Sequence, residues 1–485
     1  MAQPNSEGSD DKPTSKLEQC TKGTLLFCGQ WQFDMIGRKN VPKAVAARGG
    51  NEEGEHILAP TRMHFDGIPQ DTKFKAVFSG NAAAHAVLVS EGGVAYGLGR
   101  NDNGQLGSDV LVSHPHPIEL AIPSKGKVVY ASCGRTHTVV LLDNGEAYSA
   151  GMNHLGQLGI GSVVKGKDTL VNEYPKFQKV LIDEKIVCVS TGAEFSVFVS
   201  ESGGLYCCGS AQYGQTGLGL TGESIAKSNR ITFGVSPKPK KVKGFGSGDG
   251  EIKLVECASG LNHSIALTDD GKVYSWGWGG YGRLGHREPK DEYRPRLVEE
   301  LIGPQYGMDG ISCGQQCSFA FKKDRGMLYM WGQPRGVREA NMYPKSVYDL
   351  QGWPVRAMGQ GMSSTVIATE SSVISYGGAP CFGELGYGEG QKSSTQPKKI
   401  VAVEGLHVFA LCEGASLTFL IAREESEAEK EIIQRLDVRD IPINPEREPT
   451  SLDAPEPAAA TTGTKRGRKP AAKPAKGKVT KKAKK

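Results

Sequence analysis

Short apolar runs recur along the chain, each bounded by glycine and polar turn residues. Residues 79–107 read SGNAAAHAVLVSEGGVAYGLGRNDNGQLG and residues 133–159 read CGRTHTVVLLDNGEAYSAGMNHLGQLG. The same order returns at 191–217 (TGAEFSVFVSESGGLYCCGSAQYGQTG) and at 259–285 (SGLNHSIALTDDGKVYSWGWGGYGRLG). Cys313 opens a weaker copy without the final glycine motif, Gly361 opens another that ends at Gly386, and 413–422 is a half copy. Apolar runs of four to six residues, joined by turn dipeptides such as Asn144-Gly145 and Asp270-Gly271, predict strands in hairpins.

The opening glycines are Gly80, Gly134, Gly192, Gly260, Gly314, Gly361 and Gly414, spaced by 54, 58, 68, 54, 47 and 53 residues. Four short strands in about 50 residues, repeated, predict the blades of a β-propeller. The last copy lacks its second half, which the N-terminus supplies. Residues 23–37 read GTLLFCGQWQFDMIG, and Gly29 to Gly37 is the same step as Gly99 to Gly107 or Gly277 to Gly285. The expectation is an all-β, seven-bladed β-propeller over 23–422, closed by N- and C-terminal strands. Closure removes the two sheet edges of an open array. One α-helix is predicted at 423–440, with a capping box of Ser426 and Glu429 and an apolar stripe of Ala428, Ile432, Ile433 and Leu436. Residues 1–22 are read as a disordered arm, and 441–485 as a disordered linker and basic tail.

Composition narrows the class. Glycine makes up 64 of 485 residues, about twice the usual share, which fits many turns. No apolar run is long enough for a membrane helix, and the first residues lack the apolar segment of a secretory signal. The 11 cysteines include no CxxC pair, so reduced thiols in the cytosol or nucleus are expected. Cys313 and Cys317 lack a second pair and are read as structural. No metal or cofactor is expected, and no catalytic residue is assigned. His85, His137 and His263 recur in phase, which points to architecture rather than catalysis. Gly277 to Gly282 matches G-x-G-x-x-G but lies between predicted strands, and the phosphate-loop likeness at 161–168 ends in Asp; neither is read as a nucleotide site.

The net charge of +5 conceals a division. Residues 461–485 hold 11 bases and no acid, whereas 423–457 hold 11 acids and 5 bases. The propeller span is nearly balanced. The tail residues Lys465, Arg466, Arg468, Lys469, Lys473, Lys476, Lys478, Lys481 and Lys482 are the candidate nucleic-acid contacts. Lys465 to Pro470 resembles an AT-hook whose core Lys469 interrupts. Such a segment binds phosphates by counterion release and also fits a nuclear localisation signal. The acidic microtubule surface is a rival polyanion.

Two stretches are candidate protein-partner surfaces. The long third repeat carries an insertion at 220–251 with Lys227, Arg230, Lys238, Lys240, Lys241 and Lys243, read as a rim loop. The stretch 276–296 combines Trp278 and Tyr281 with Arg283, Arg287 and Lys290. Aromatics and arginine are enriched at interface hot spots, although blade packing and ordinary surface charge are the plainer alternatives.

These repeats resemble the regulator-of-chromosome-condensation propeller family over roughly residues 23–440. IGRKNVPK at 36–43, WGWGGYGRLGH at 276–286, CFGELGYGEG at 381–390 and AREESEAEKEIIQRL at 422–436 look like its mitotic and cytoskeletal branch. The resemblance implies a non-enzymatic scaffold that binds a small GTPase of the Ras superfamily. It also implies roles in chromosome segregation, cell division and cytoskeletal control, at the nucleus, chromosomes and spindle. Guanine-nucleotide exchange on that GTPase, or DNA and histone binding without a GTPase, are the alternatives.

Overall fold

A computed structural model describes residues 22–40, 42–43, 56–161, 173–225, 231–303, 305–323, 325–378 and 381–441. The candidates Lys227 and Arg230, and all nine tail candidates, lie outside the described residues, as do nearly all of the two segments read as disordered. The described residues all belong to one compact unit.

The described strands fall into four-stranded antiparallel units. Five separate sheets span 128–179, 186–241, 254–297, 310–346 and 357–399. A nine-stranded sheet contains two more units, one spanning 74–119 and one drawn from both ends of the chain. The latter runs Val408–Glu413, Leu417–Arg423, Gly23–Gln30, His56–His64. The pairing that joins the ends is continuous from Gly23 opposite Arg423 to Gly29 opposite Leu417. We number this composite unit 1 and the others 2 to 7 in chain order.

Packing follows from the position of the second strands. Each lies between two neighbouring units and is buried on both faces, as in His85–Ser90, His137–Leu142 and His263–Thr268. This explains why these strands read as continuous apolar runs rather than alternating ones. Seven apolar clusters fill the seven interfaces among the described residues. At the closing unit, Leu26 packs towards unit 7, while Leu25 and Phe27 pack towards unit 2. Fully burying such side chains contributes about 1.5–3 kcal/mol each.

The outer strands are marked by proline. Pro60, Pro117, Pro175, Pro237, Pro295, Pro344 and Pro397 each sit on the outermost strand of a unit. An edge strand tolerates proline because the missing N–H faces solvent. Glycines of the preceding unit lie against several of these strands. A β-carbon at Gly104 would stand 2.5 Å from Pro175, and one at Gly156 would stand 2.6 Å from Pro237.

Beyond the last sheet strand, the expected helix is shorter than 423–440. It spans Glu427–Arg435, with the capping box of Ser426 and Glu429 formed in both directions. Ile433 and Leu436 are buried as expected, but Ala428 is exposed, and Glu429 is buried where it bonds Arg423. The helix stops because Arg62 donates to the carbonyls of Gln434 and Leu436, satisfying groups a helix end leaves open. Val438–Asp440 then pairs in parallel with His56–His64 and covers its free edge.

The in-phase histidines latch neighbouring units. His85 Nε2 lies 2.8 Å from Thr138 Oγ1, His137 Nε2 3.1 Å from Ser196 Oγ, and His263 Nε2 2.9 Å from Ser318 Oγ. Each hydroxyl donates its one proton to a backbone carbonyl, of Gln105, Gln157 and Arg283 respectively. It therefore accepts from histidine, which fixes the neutral Nε2–H tautomer. The rings of His137 and His263 lie against the opening glycines of their units; a β-carbon at Gly134 would stand 2.2 Å from His137 Cε1, and one at Gly260 2.0 Å from His263 Cε1. Where unit 1 meets unit 2 the hydroxyl is replaced by Ala86, and the histidine position holds Leu417.

Burial lowers the pKa of His85 and His137 to about 3, and that of His263 well below its ordinary 6.5. The unfolded chain therefore binds these protons first as pH falls, so the latches lose their stabilisation from about pH 6.5 downward. Glu384 and Glu413, buried with raised pKa values, act in the opposite sense and stabilise the fold towards low pH. The histidine contribution is isolated by difference. Between pH 6.5 and 4.5, the unfolding free energy of His137→Gln should vary less steeply than that of the wild type, by up to about 1.4 kcal/mol per pH unit. Urea denaturation at several pH values measures this; parallel curves would refute the latch.

Candidate partner-binding face

In each unit the turn between the first two strands and the loop between the last two lie at the same end, because the strands are antiparallel. The inner turns meet across the middle of the ring. Asn81 Nδ2 donates to the carbonyls of Ser259 (3.0 Å) and Cys313 (3.1 Å), and Gln315 Nε2 donates to the carbonyl of Asn81 (2.8 Å). Leu261 N–H continues this network to the Gln315 carbonyl.

Around that centre stand the loops carrying the G-x-L-G pattern, and one residue in them recurs. Gln105, Gln157, Gln215, Arg283 and Glu384 occupy the second position of the motif, and all are buried. Their carbonyls accept from the next unit: from Thr138, Ser196, Trp276 Nε1, Ser318 and Thr418. In the glutamines and in Glu384 the side-chain oxygen also accepts from the backbone N–H two residues earlier, at Asn103, Leu155, Tyr213 and Phe382.

Arg283 cannot do this, because a guanidinium has no acceptor. Its Nε instead donates to the Gly280 carbonyl (2.8 Å), and a second nitrogen reaches the Gln315 carbonyl at 3.4 Å. The turn is reshaped around it. Tyr281 adopts φ +60° and stands half exposed, while Trp278 covers the guanidinium at 3.8 Å. A large residue in the left-handed region is strained, and such strain clusters at functional segments. Arg283 therefore corrects the sequence expectation. It is fully buried, not part of a surface, and it positions Trp278 and Tyr281. Alignment on the motif carries the signal, since every equivalent position is buried. Burial lowers its pKa to about 10, which leaves it charged at neutral pH.

The other candidates divide between the face and the flank. Tyr213 lies 5.6 Å from Trp278, extending the aromatic group towards unit 4. Arg287, the second non-glycine residue with positive φ, pairs with Glu300 and lies 4.7 Å from the Tyr343 ring. Lys290 is exposed at the end of this loop.

The insertion in unit 4 is not one rim loop. Its first part forms a short hairpin, Ser224–Ile225 against Ile231–Thr232, between the third and fourth strands. Lys238, Lys240 and Lys241 lie on the outer strand Val235–Lys241, which pairs with Leu205–Ser210, and Lys243 follows at the opposite end. The run S-P-K-P-K looks loop-like in sequence, but it is the proline-marked edge strand of this unit. Lys241 is partly neutralised by Glu251 at 3.6 Å. The hairpin and the segment leading into it carry the apolar exposure of the insertion. Leu220, Ile225 and Ile231 are 76%, 75% and 53% exposed, on the same face as Trp278 and Tyr281.

At the seam of units 7 and 1 sit two residues that sequence reasoning did not single out. Glu384 and Glu413 are buried, and burial raises both carboxyl pKa values above the ordinary range. Glu384 was legible as the acidic variant of the glutamine position; Glu413 becomes notable only once its strand packs against Gly359 and Gly361 of unit 7. Cys317 occupies the histidine position of unit 6, beneath Gly314, as a packing thiol. Among the described residues no group of three or more His, Cys, Asp or Glu is placed to hold a metal. Clefts of about 140 Å³, beside Asn144 and Lys179, and about 180 Å³, beside Arg62 and Lys73, are smaller than the ~300–1,000 Å³ of typical small-molecule sites.

A propeller of such units, latched through G-x-L-G loops, defines a class of protein, and residues 19–338 match the RCC1-like domain family. The chain belongs to that family of regulators of chromosome condensation. It is 39% identical over 448 residues to Protein RCC2 homolog of Danio rerio, covering 90% of this chain and 87% of the relative. It is 38% identical over 442 residues to Protein RCC2 of Homo sapiens, covering 89% and 82%. Among solved structures, human WBSCR16 is similar with a TM-score of 0.66 at 20% identity, over 83% of this chain and 100% of that one. Prp20p of Saccharomyces cerevisiae, a protein described with its binding to Gsp1p and histones, is similar with a TM-score of 0.63 at 19% identity, over 85% and 94%. The last two likenesses concern the fold.

The Arg283 arrangement is testable by stability. Arg283→Gln restores the acceptor of the regular turn, and Tyr281→Gly removes the positive-φ strain. Both should keep the unfolding temperature within about 2 °C of the wild type or raise it. A drop of 5 °C or more in calorimetry for Tyr281→Gly would assign the ring to packing.

Proposed function

We propose that this protein is a non-enzymatic propeller scaffold that binds a small GTPase of the Ras superfamily through the loop face of units 4 and 5. The basic tail holds it to chromatin or spindle, where it regulates chromosome segregation, cell division and the cytoskeleton. The observation that carries this reading is the joint exposure of Leu220, Ile225, Ile231 and Tyr281 on one face, beside the loop that Arg283 shapes. Exposed aliphatic and aromatic side chains rimmed by charge are what a protein interface requires. Family membership supports the partner class, as does the recorded binding of Prp20p to Gsp1p, a property of that protein. Exchange needs no bond-making residue; it needs stabilisation of the nucleotide-free GTPase. Binding and exchange are thus separate measurements on one surface.

Both are made by titrating the purified protein against a panel of Ras-superfamily GTPases loaded with fluorescent guanine nucleotide. Saturable binding to at least one is expected, weakened about tenfold by Ile225→Lys or Tyr281→Ala, a loss of about 1.4 kcal/mol. Faster nucleotide release than with heat-denatured protein identifies an exchange factor. Binding to no GTPase, or binding indifferent to both substitutions, would refute the proposed face.

The tail is tested separately. Removal of residues 461–485 should weaken DNA binding and flatten its dependence on salt, because up to 11 phosphate contacts disappear. Equal affinity and slope with and without the tail would show that it is not the anchor. Stronger retention on microtubules than on DNA would assign the tail to the spindle.

A further inference from the structure

Cys188 and Cys257 stand at one interface between units. Cys188 lies on the first strand of unit 4, Ile186–Thr191, and Cys257 on the first strand of unit 5, Leu254–Ser259. They are 69 residues apart in sequence, yet their sulfurs approach to 3.7 Å. The Cys188 sulfur also lies 3.8 Å from the Cys257 carbonyl oxygen, so it is turned towards its counterpart. A disulfide needs about 2.05 Å between sulfurs, so roughly 1.6 Å must close. The two thiols differ in access. Cys188 is part-buried beside Val187, which is 49% exposed, whereas Cys257 is 4% exposed. Neither serves the latches, the closing pairing or the candidate face.

We propose that Cys188 and Cys257 are a site of reversible oxidation, forming a disulfide that joins unit 4 to unit 5 when the protein meets a hydroperoxide. The Cys188 sulfur attacks the peroxide, and the O–O bond breaks. Cys188 becomes a sulfenic acid, and the departing oxygen leaves as water or an alcohol. The Cys257 sulfur then attacks the Cys188 sulfur. The S–O bond breaks, and its oxygen leaves as water with the proton of the Cys257 thiol. Two thiols lose two electrons in total, and one hydroperoxide gains them. The order of the steps follows from the surroundings. The hydrogen bond with Cys188, together with burial, raises the Cys257 pKa well above the ordinary thiol range. Cys257 therefore keeps its proton and is the poorer first nucleophile, so Cys188, which is reached from solvent, reacts first and the 3.7 Å contact makes Cys257 the resolving group. The fold supplies the proximity that makes resolution faster than further oxidation. Cys207 is a third thiol in the same apolar cluster, fully buried, and is the rival resolving group.

The test uses the full-length folded protein. It is treated with hydrogen peroxide, remaining thiols are alkylated, and the chain is cut with a glutamate-specific protease. Cleavage after Glu184, Glu194 and Glu256 separates Cys188 from both Cys207 and Cys257. Mass spectrometry should show residues 185–194 linked to the peptide that begins at Cys257. Two of the 11 thiols should be lost, and dithiothreitol should restore them. The oxidised wild type should unfold at least about 2 °C higher than the reduced protein, since the cross-link restrains the unfolded chain. Cys188→Ser should remove the link. Cys257→Ser should leave a Cys188 sulfenic acid that dimedone traps. The wild-type mass measurement needs no variant to fold. Cys188 oxidised to sulfinic acid without a link, a link to Cys207 or Cys208, or a Cys188 that stays reduced would each overturn the proposal.

Discussion

Everything in this molecule depends on closing the ring. A row of four-stranded units packed face to face leaves an apolar face open at each end, and no unit can bury its second strand with only one neighbour. The pairing of Gly23–Gln30 with Leu417–Arg423 removes both open ends together. It places Leu26 in one interface and Leu25 and Phe27 in the next. A few residues of the N-terminal strand thus complete two of the seven cores. Thr24 and Lys73 both reach Glu424, which ties the same seam to the segment leading into the helix.

Given closure, the interfaces are set by one repeated arrangement. A second-strand hydroxyl donates to the carbonyl of the preceding unit's G-x-L-G loop, and in three interfaces accepts from a neutral histidine. The arrangement is polar and buried, so the pairing of its hydroxyls and loop carbonyls constrains which residues fit. That demand makes deviations informative. Glutamine at the second loop position satisfies its own turn. Glutamate does so while its pKa rises through burial. Arginine cannot, and unit 5 answers by turning the loop over, with Trp278 laid on the guanidinium and Tyr281 pushed outward. The candidate partner face results from substituting one donor for one acceptor in a conserved geometric role within this chain.

Much of this was legible in the repeats. Glycine spacing gave the units, the truncated last copy gave the shared one, and in-phase histidines signalled architecture. The capping box gave the start of the helix. Its end was not legible, because Arg62, far away in sequence, supplies the cap and the adjoining strand then captures Val438–Asp440. The outer strands were hidden by their prolines, which resemble loop residues until the strand is known to be an edge. This is why the sequence pattern groups Lys238, Lys240 and Lys241 with the loop, whereas they lie on the flank.

The sequence alone determined what is local or periodic: the turns, the strand runs, the repeat length and the division of charge between a balanced ring and a basic tail. Tertiary structure decided which residues meet across units: the tautomer of the histidines, the burial of Arg283, the strain at Tyr281, the Glu384 and Glu413 seam, and the approach of Cys188 to Cys257. The physical reason is that spacing along a chain fixes conformation over a few residues. A buried hydrogen bond or a thiol contact depends on the neighbour supplied by a unit some 50 to 70 residues away.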